Sequence, residues 1–258
     1  MIKLGICTSV ENLGRAHEAG FDYIEANLSA VTAMSDEEFE EAVCMNEEAP
    51  IHVETMNGML PGNLRVTGPN VSAQAIHDYL DRAFERAERL GAQVIVFGSS
   101  AARTKPEGFD TAQAWRQLAN FLRICEKHAA AHNLLVAIEP LKRAETNMIN
   151  YVSEAVALAS FIQMPHIAVL GDTYHMAMGG ESYASLSMAG DLLAHVHVAN
   201  AIGRRCPAPG DGEPYRELFD TLKDMGYEGR VSVESLFTDF NAEIGPACEV
   251  LRQARDGK

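Results

Sequence analysis

The sequence is poor in cysteine, in positive charge and in long apolar runs. Its five cysteines are odd in number and widely separated, and no CxxC pair indicates a zinc site. A disulfide framework is therefore not expected, and a reducing, cytoplasmic environment is favoured. No segment reaches the roughly 18 consecutive apolar residues of a membrane span, and the N-terminus lacks the layout of a signal peptide. The sequence predicts a protein without membrane contact.

Basic residues are scarce relative to acidic ones. The chain has 21 Lys and Arg against 36 Asp and Glu, a formal net charge of −15. Because binding to a phosphate backbone needs a positive surface, this balance argues against a nucleic-acid partner. Hydrophobic residues make up 47% and charged residues 22% of the 258 positions, which is typical of a globular chain with a full core.

Short apolar, β-branched segments recur along the chain and alternate with segments of helical period. Eight are predicted as strands: Ile2–Cys7, Tyr23–Asn27, Ile51–Thr55, Gln93–Phe97, Leu135–Glu139, Ile167–Leu170, His195–Ala199 and Val231–Glu234. Such alternation indicates parallel strands with helical crossovers, and eight units in about 250 residues is the size of a TIM barrel. An open doubly wound sheet is the alternative, but no GxGxxG follows the first strand. We predict one α/β domain, residues 1–258, folded as a single (β/α)8 TIM barrel.

The helical segments are recognised by their apolar spacing. In Ala73–Leu90 and Ala112–Ala131 apolar residues recur every three to four positions, which lines one face of a helix. Shorter helices are predicted at Glu11–Ala19, Ser35–Asn46, Ser153–Ile162, Tyr183–Met188, Tyr215–Met225 and Asn241–Ala254.

Acidic and histidine residues stand at the ends of four consecutive predicted strands. They are Glu139 on the fifth, Asp172 after the sixth, His195 and His197 on the seventh, and Glu234 on the eighth. Active sites of these barrels lie at the C-terminal ends of the strands, so these side chains are expected to meet. Three carboxylates placed together repel each other unless a cation compensates. Oxygen-rich ligation with one imidazole suits Mn2+, Mg2+ or Co2+ better than a structural zinc.

Each of these residues also has an ordinary structural explanation. A single glutamate at a strand end can be a solvated rim residue, and Asp172 can simply cap a turn. His195 and His197 point to the same face of their strand, so one of them need only pack or support. The coincidence of four such residues on consecutive strands favours a metal site.

Five motifs resemble the xylose-isomerase-like barrel superfamily, in particular its sugar phosphate isomerase/epimerase branch with the ketose 3-epimerases and hydroxypyruvate isomerases. They are Ile138-Glu139-Pro140-Leu141-Lys142-Arg143-Ala144-Glu145, Asp172-Thr173-Tyr174-His175-Met176, His195-Val196-His197, the loop Arg204–Gly212, and Val231-Ser232-Val233-Glu234-Ser235. Weaker matches lie at Asn57–Gly68 and at Val96–Ser99 with Arg103 and Pro106, so the resemblance extends over nearly the whole chain.

The resemblance implies roles for the residues at matching positions. The metal ligands would be Glu139, Asp172, His197 and Glu234, and the substrate contacts would be Glu145, His175 and Arg204. The seventh loop is slightly longer than in the ketose epimerases, so Arg205 competes with Arg204 for the arginine position, and Arg204 is preferred. Glu145 has an alternative role as the partner of Arg143. The fourth strand ends Gly98-Ser99-Ser100 where many relatives have a second glycine.

The function implied is that of a divalent-metal-dependent isomerase or epimerase acting on a sugar or sugar phosphate, with Mn2+ expected and Mg2+, Co2+ or Zn2+ as alternatives. Chelation of the substrate oxygens to the metal stabilises the enediolate as it forms. Glu139 and Glu234 are the hypothesised acid–base pair. The alternative is a metal-dependent dehydratase of the same fold acting on inosose or dehydroshikimate-like substrates. A DNA-repair endonuclease of related fold is disfavoured by the charge of −15.

Further side chains are expected near the mouth of the barrel. Glu25 and Glu54 are possible pocket residues, with a structural role favoured. The candidates for binding a phosphate are Arg65, Arg103, Arg143 and Arg204. Oligomeric state stays open, with a homodimer or homotetramer among the alternatives, and the exposed apolar loop residues expected at such a contact are Met59, Leu60 and Phe237.

Overall fold

The computed structural model describes residues 1–257, which form a closed barrel of eight parallel strands. The strands follow each other around the barrel in chain order, and the eighth pairs with the first. They are β1 (Lys3–Cys7), β2 (Tyr23–Asn27), β3 (Val53–Asn57), β4 (Val94–Phe97), β5 (Leu135–Ile138), β6 (Ile167–Asp172), β7 (Leu193–Val198) and β8 (Arg230–Val233). The prediction of a single (β/α)8 TIM barrel is confirmed. Lys258, the last residue of the predicted domain 1–258, lies outside the described residues.

Ten α-helices accompany the strands in the part of the chain that the structure describes. They are α1 (Leu13–Ala19), α2 (Leu28–Ala33), α3 (Asp36–Glu48), α4 (Ala73–Arg89), α5 (Ser100–Arg103), α6 (Thr111–His132), α7 (Val152–Ile162), α8 (Thr173–Gly179), α9 (Tyr215–Asp224) and α10 (Phe240–Asp256), with 3-10 segments at Val10–Asn12, Tyr183–Met188 and Gly190–Leu192. A reciprocal cap starts α3, because Ser35 Oγ accepts from the Glu38 amide while the Glu38 carboxylate accepts from the Ser35 amide.

The predicted strands are all present, with ends displaced by at most two residues, and every predicted helical segment contains helix. Three helices were not predicted: α2, α5 and α8, which follow β2, β4 and β6 closely. With six, four and seven residues, each is too short for its apolar spacing to stand out from a loop.

The displaced boundary of β3 changes the position of Glu54. The strand was predicted over Ile51–Thr55 but begins two residues later, and its register against β2 shifts at this point. Glu54 therefore lies near the start of the strand, where its carboxylate is 2.6 Å from both Lys3 Nζ and Arg230 Nε. Since those two residues begin β1 and β8, the expectation that Glu54 faces the catalytic mouth is wrong; it lies at the opposite end of the barrel.

The core has an apolar and a polar part. Apolar side chains pack between the helices and the strands in one large cluster, and a smaller cluster is formed by Val94, Val96, Ala137 and Leu170. The barrel interior also holds Glu25, His195, His197 and Ser232, each at most 1% exposed. Across residues 1–257, no helix has both the length and the apolar character that crossing a membrane requires.

Candidate active site

Four side chains from consecutive strands meet at the C-terminal mouth of the barrel. Glu139 follows β5, Asp172 ends β6, His197 lies in β7 and Glu234 follows β8; we call these four residues the quartet. One ligand atom from each lies within 4.8 Å of the others. His197 Nδ1 is 3.3 Å from Glu139 Oε1 and 3.1 Å from Glu234 Oε2. All of them except the partly exposed Glu234 are buried.

The quartet concentrates negative charge in a buried place. Burial and the neighbouring carboxylates of Glu139 and Glu234 raise the pKa of Asp172 well above its usual range. Burial opposes the ionisation of Glu234, but the charge and hydrogen bond of His197 and the charge of Arg204 outweigh it and lower the pKa of Glu234 to about 2. Such opposite shifts among touching groups are typical of functional sites.

The donor set of the quartet fits a divalent cation. Three carboxylates and one imidazole are ligands that Mn2+, Mg2+ and Co2+ accept. Within residues 1–257 the buried Asp172 Oδ2 has no hydrogen-bond partner, and its ion-pair contact with Arg204 Nη2 is long, at 3.5 Å; a buried carboxylate oxygen left in that situation is costly unless a cation binds it more closely. All four residues could therefore serve as protein ligands to one ion.

Gly98, directly after β4, makes room for the Glu139 carboxylate. A Cβ atom at this position would lie 1.7 Å from Glu139 Oε2. That is far inside van der Waals contact, so no larger residue fits while Glu139 keeps its place. Close approach of a functional group explains this glycine.

Gly98→Ala is expected to push the Glu139 carboxylate out of the quartet and to weaken Mn2+ binding by about 10-fold or more. A calorimetric Mn2+ titration measures this effect. Gly14→Ala is the matched control, because a Cβ at Gly14 meets nothing within 4 Å, and it should bind Mn2+ like the unaltered protein. If Gly98→Ala binds Mn2+ as tightly as the unaltered protein, the clash with Glu139 does not affect Mn2+ binding, and the prediction is wrong.

Arg103, at the end of α5, holds the main chain around Glu139. Its guanidinium donates to the carbonyl oxygens of Glu139, at 2.7 Å, and of Phe97, at 3.0 Å. Burial lowers the pKa of Arg103 to about 10, so the side chain stays charged at neutral pH. The expectation that Arg103 could bind a phosphate is wrong, because it is 0% exposed and its Nη1 and Nη2 donate to main-chain carbonyls.

His175, in α8, presents one ring nitrogen beside the quartet. Its Nδ1 accepts from the Lys142 amide at 3.2 Å, which leaves the hydrogen on Nε2. That Nε2 is 3.9 Å from Asp172 Oδ2 and has no hydrogen-bond partner in residues 1–257. Burial and the charge of Arg204 lower the pKa of His175 to about 4. The ring is therefore neutral, and its Nε2–H is an unused hydrogen-bond donor beside the quartet.

Of the two adjacent loop arginines, Arg204 reaches the quartet. Its Nη2 donates to Glu234 Oε2 and lies 3.5 Å from Asp172 Oδ2. Arg205 is exposed, and its Nε donates to the carbonyl of Ile202. Arg204 has a φ of +52°, a left-handed conformation that costs free energy in a residue other than glycine and that often marks a functional position.

Glu145 lies in the loop that follows β5. Its carboxylate is 3.3 Å from Lys142 Nζ, and this Nζ also donates to the Tyr174 hydroxyl at 2.5 Å. Arg143, the partner considered from the sequence, instead lies over the Tyr151 ring, so that pairing is wrong. The side chain of Glu145 is 32% exposed, which leaves it accessible from outside the barrel.

Two polar residues without a definite predicted role join the site. Asn57 Nδ2 donates to Glu234 Oε1 at 3.4 Å, and Glu25 Oε1 is 2.8 Å from His197 Nε2. Both lie beside a cavity of about 270 Å³ whose other polar lining residues include Thr8, Ser9 and Asn27. The only local signal is a polar residue within an apolar strand, in the middle of β2 for Glu25 and at the end of β3 for Asn57, since their partners come from other strands.

Of the three apolar loop residues expected at an oligomer contact, two are buried and one is partly exposed. Met59 and Leu60 are 0% and 5% exposed, and Phe237 is partly buried against the core. The expectation that Met59 and Leu60 are exposed is therefore wrong. A groove of about 570 Å³ lies outside the barrel between α6 and α7 and does not touch the quartet.

The chain belongs to the xylose isomerase-like TIM barrel family, whose model matches residues 13–254. This confirms the resemblance seen in the motifs. The chain is 32% identical to the 3-dehydro-D-guloside 4-epimerase of Escherichia coli over 165 residues, which span 60% of this chain and 61% of that protein. It is 26% identical to the D-psicose 3-epimerase of Ruminiclostridium cellulolyticum over 245 residues, 92% of this chain and 81% of that one.

Solved structures share the fold. A D-allulose 3-epimerase from Methylomonas sp., crystallised with D-allulose, superposes with a TM-score of 0.85 at 22% identity, covering 98% of this chain and 97% of that one. At 22% identity, this structural likeness shows that the two proteins share a fold and shows nothing further.

Proposed function

We propose that this protein is a divalent-metal-dependent sugar epimerase or isomerase in which Glu139 and Glu234 transfer a proton to and from the substrate. The observation that carries the proposal is that these two glutamates, which follow β5 and β8, converge in one quartet whose ligand atoms lie within 4.8 Å of one another and could hold a cation. The similarity to the guloside 4-epimerase and the psicose 3-epimerase supports the same class of reaction.

The two named reactions share one chemical step. A 3-dehydro sugar has its ketone at carbon 3 and is inverted at carbon 4, whereas psicose has its ketone at carbon 2 and is inverted at carbon 3. In both, the hydrogen that moves is on the carbon beside a ketone, where its removal leaves a delocalised enediolate. Inversion requires a base on one face of that carbon and an acid on the other, which two carboxylates provide.

The remaining site residues would bind and orient the sugar. A divalent cation in the quartet would supply the positive charge that stabilises the developing oxyanion. His175 Nε2–H and the Arg204 guanidinium are donors beside the quartet, and we assign them to substrate oxygens. Glu145 is assigned to a substrate hydroxyl. Donors fixed in advance by the fold lower the barrier because they need no reorganisation during the reaction.

The cavity beside the quartet supports an uncharged sugar. It adjoins the quartet through Asn57, which donates to Glu234. Its polar lining includes hydroxyl and amide groups from Thr8, Ser9, Asn27 and Asn57, and none of the described residues that line it is Lys or Arg. Among the described residues, the one arginine that contacts the carboxylates of the quartet, Arg204, is already paired with Glu234 and Asp172. Hydroxyls and amides match the hydroxyl groups of a polyol, whereas a phosphate needs cationic or helix N-terminal donors. We therefore propose a non-phosphorylated ketose or keto-glycoside.

A substrate panel tests this function. The purified protein with Mn2+ is incubated separately with D-fructose, D-psicose, L-ribulose, a 3-keto-glucoside, D-fructose 6-phosphate and an inosose, and products are separated by chromatography. An epimer or aldose–ketose isomer from an unphosphorylated sugar is expected. Loss of water from the inosose, with no epimer from any sugar, would replace the proposal with a dehydratase. Turnover of the phosphate alone would overturn the choice of an uncharged substrate.

A further inference from the structure

Glu25 lies directly beneath the quartet and is joined to it through one ring. The carboxylate is 1% exposed, and its Oε1 is 2.8 Å from His197 Nε2. The other ring nitrogen of His197, Nδ1, is the one that contacts Glu139 and Glu234. The imidazole therefore stands between a buried carboxylate and the metal-binding atoms.

The second oxygen of Glu25 is surrounded by hydrogen-bond donors. Oε2 accepts from Ser232 Oγ at 2.7 Å and from Thr55 Oγ1 at 2.8 Å, and it is 2.7 Å from His195 Nε2. Ser232 Oγ is also 2.8 Å from the Tyr23 hydroxyl; since Ser232 gives its only hydrogen to Glu25, Tyr23 must donate to Ser232. Donors from three strands, β3, β7 and β8, thus stabilise an ionised, immobile carboxylate.

An ionised carboxylate at this distance decides which nitrogen of His197 carries the hydrogen. It can only accept, so Nε2 must be the donor. In the neutral ring the lone pair is then on Nδ1, the nitrogen that faces the quartet. Without this acceptor the ring could place its hydrogen on Nδ1, or rotate, and would lose the ability to bind a cation there.

We propose that Glu25 is a positioning residue of the metal centre, which fixes the orientation and tautomer of His197 so that Nδ1 is available to the cation. The inference rests on the proposed function only in requiring that the quartet binds a metal. Removal of such a hydrogen-bond partner of a ligating histidine typically weakens metal affinity about 10–100-fold.

The alternative role for Glu25 is that of a ligand to a second metal ion. Cys7, Glu25 and His197 also bring one ligand atom each within 4.8 Å, which would suit a second ion. The 2.8 Å between Glu25 Oε1 and His197 Nε2 is the length of a direct hydrogen bond, and an ion between these atoms would need Nε2 without its hydrogen. The geometry therefore favours one ion and a hydrogen bond.

The test is a calorimetric Mn2+ titration of three proteins: the unaltered chain, Glu25→Gln and Thr55→Val. Glutamine has the size of glutamate, but its amide group carries two hydrogens that would meet the donors surrounding the Glu25 carboxylate. The side chain would then no longer hold His197 in place, so the Mn2+ dissociation constant is expected to rise about 10–100-fold. Thr55→Val removes one donor to the same carboxylate and leaves the bond to His197, so its dissociation constant should change less than about threefold. Thermal melts of both variants report any shared loss of stability. If Glu25→Gln is not folded by circular dichroism, Glu25→Asp replaces it under the same criterion.

Three results would overturn the proposal. A folded Glu25 variant with unaltered Mn2+ affinity removes the positioning role. If Glu25→Gln and Thr55→Val lose Mn2+ affinity equally, the loss comes from disturbed packing around the carboxylate and not from the hydrogen bond to His197. Binding of two Mn2+ ions per unaltered chain, with only one bound by Cys7→Ser, would show that His197 Nε2 is a metal ligand and does not donate a hydrogen bond to Glu25. Absence of Mn2+ binding by the unaltered chain would instead contradict the proposed metal centre itself, so the two failures are distinguishable.

Discussion

Replacing Glu139 or Glu234 by glutamine is expected to lower the turnover of an active sugar by about 10²–10⁴-fold, the usual contribution of a positioned acid or base. Glutamine keeps the shape and one metal-binding oxygen but cannot accept a proton. Steady-state kinetics at Mn2+ concentrations that saturate each variant, established by calorimetry, measure the effect on kcat separately from the effect on metal binding.

Asp172→Asn is the matched comparison for these two variants. It removes one carboxylate from the same quartet but none from the proposed acid–base pair. Its activity should therefore recover further than that of the glutamate variants when Mn2+ is raised. If both glutamine variants keep near-full kcat with metal bound, the acid–base assignment is wrong.

Removal of the metal is the second change with a large expected effect. Dialysis against EDTA should abolish turnover, and addition of Mn2+ should restore it. Because a ligand that binds only the folded state stabilises it, Mn2+ at 100 times its dissociation constant adds about 2.7 kcal/mol. For a chain of this size that free energy corresponds to a rise in Tm of about 5–10 °C.

The Tm of Asp172→Asn provides the specificity control for this measurement. Its response to Mn2+ should be much smaller than that of the unaltered protein, because one ligand of the quartet is missing. Full activity after EDTA treatment, with no metal detectable by elemental analysis, would contradict a metal-dependent reaction. An equal Tm shift in both proteins would place the bound Mn2+ somewhere else.

The barrel and the quartet were predictable because their signals are local. Eight apolar segments alternate with helical ones, and parallel strands in a closed barrel bring their C-terminal ends to one mouth. A residue such as Asp172 at a strand end is therefore placed without knowledge of any contact. The position of Glu54 was predicted wrongly because it depends on where β3 begins, and the shift of register there places the residue at the other end of the barrel.

Contacts between distant strands were not predictable in this way. The partners of Glu25 come from β3, β7 and β8, and nothing in the sequence around Glu25 shows that they meet. Arg103 is a similar case: an arginine in a loop motif reads as a phosphate ligand, yet its guanidinium is buried on backbone carbonyls. Likewise Gly98 has no local turn to explain it, since its role is to leave space for Glu139.

The central claim, that a hydrogen beside a ketone is exchanged between two glutamates, is tested most directly by running the reaction of an active sugar in D2O. Carboxyl protons exchange with solvent, so the group that returns the hydrogen would carry deuterium. NMR should detect close to one deuterium per product molecule. In an epimerisation it should be on the carbon whose configuration changes, and in an isomerisation on the carbon that gains a hydrogen. The recovered substrate should contain little deuterium. Product that retains its original hydrogen and contains no solvent deuterium would contradict proton transfer through Glu139 and Glu234.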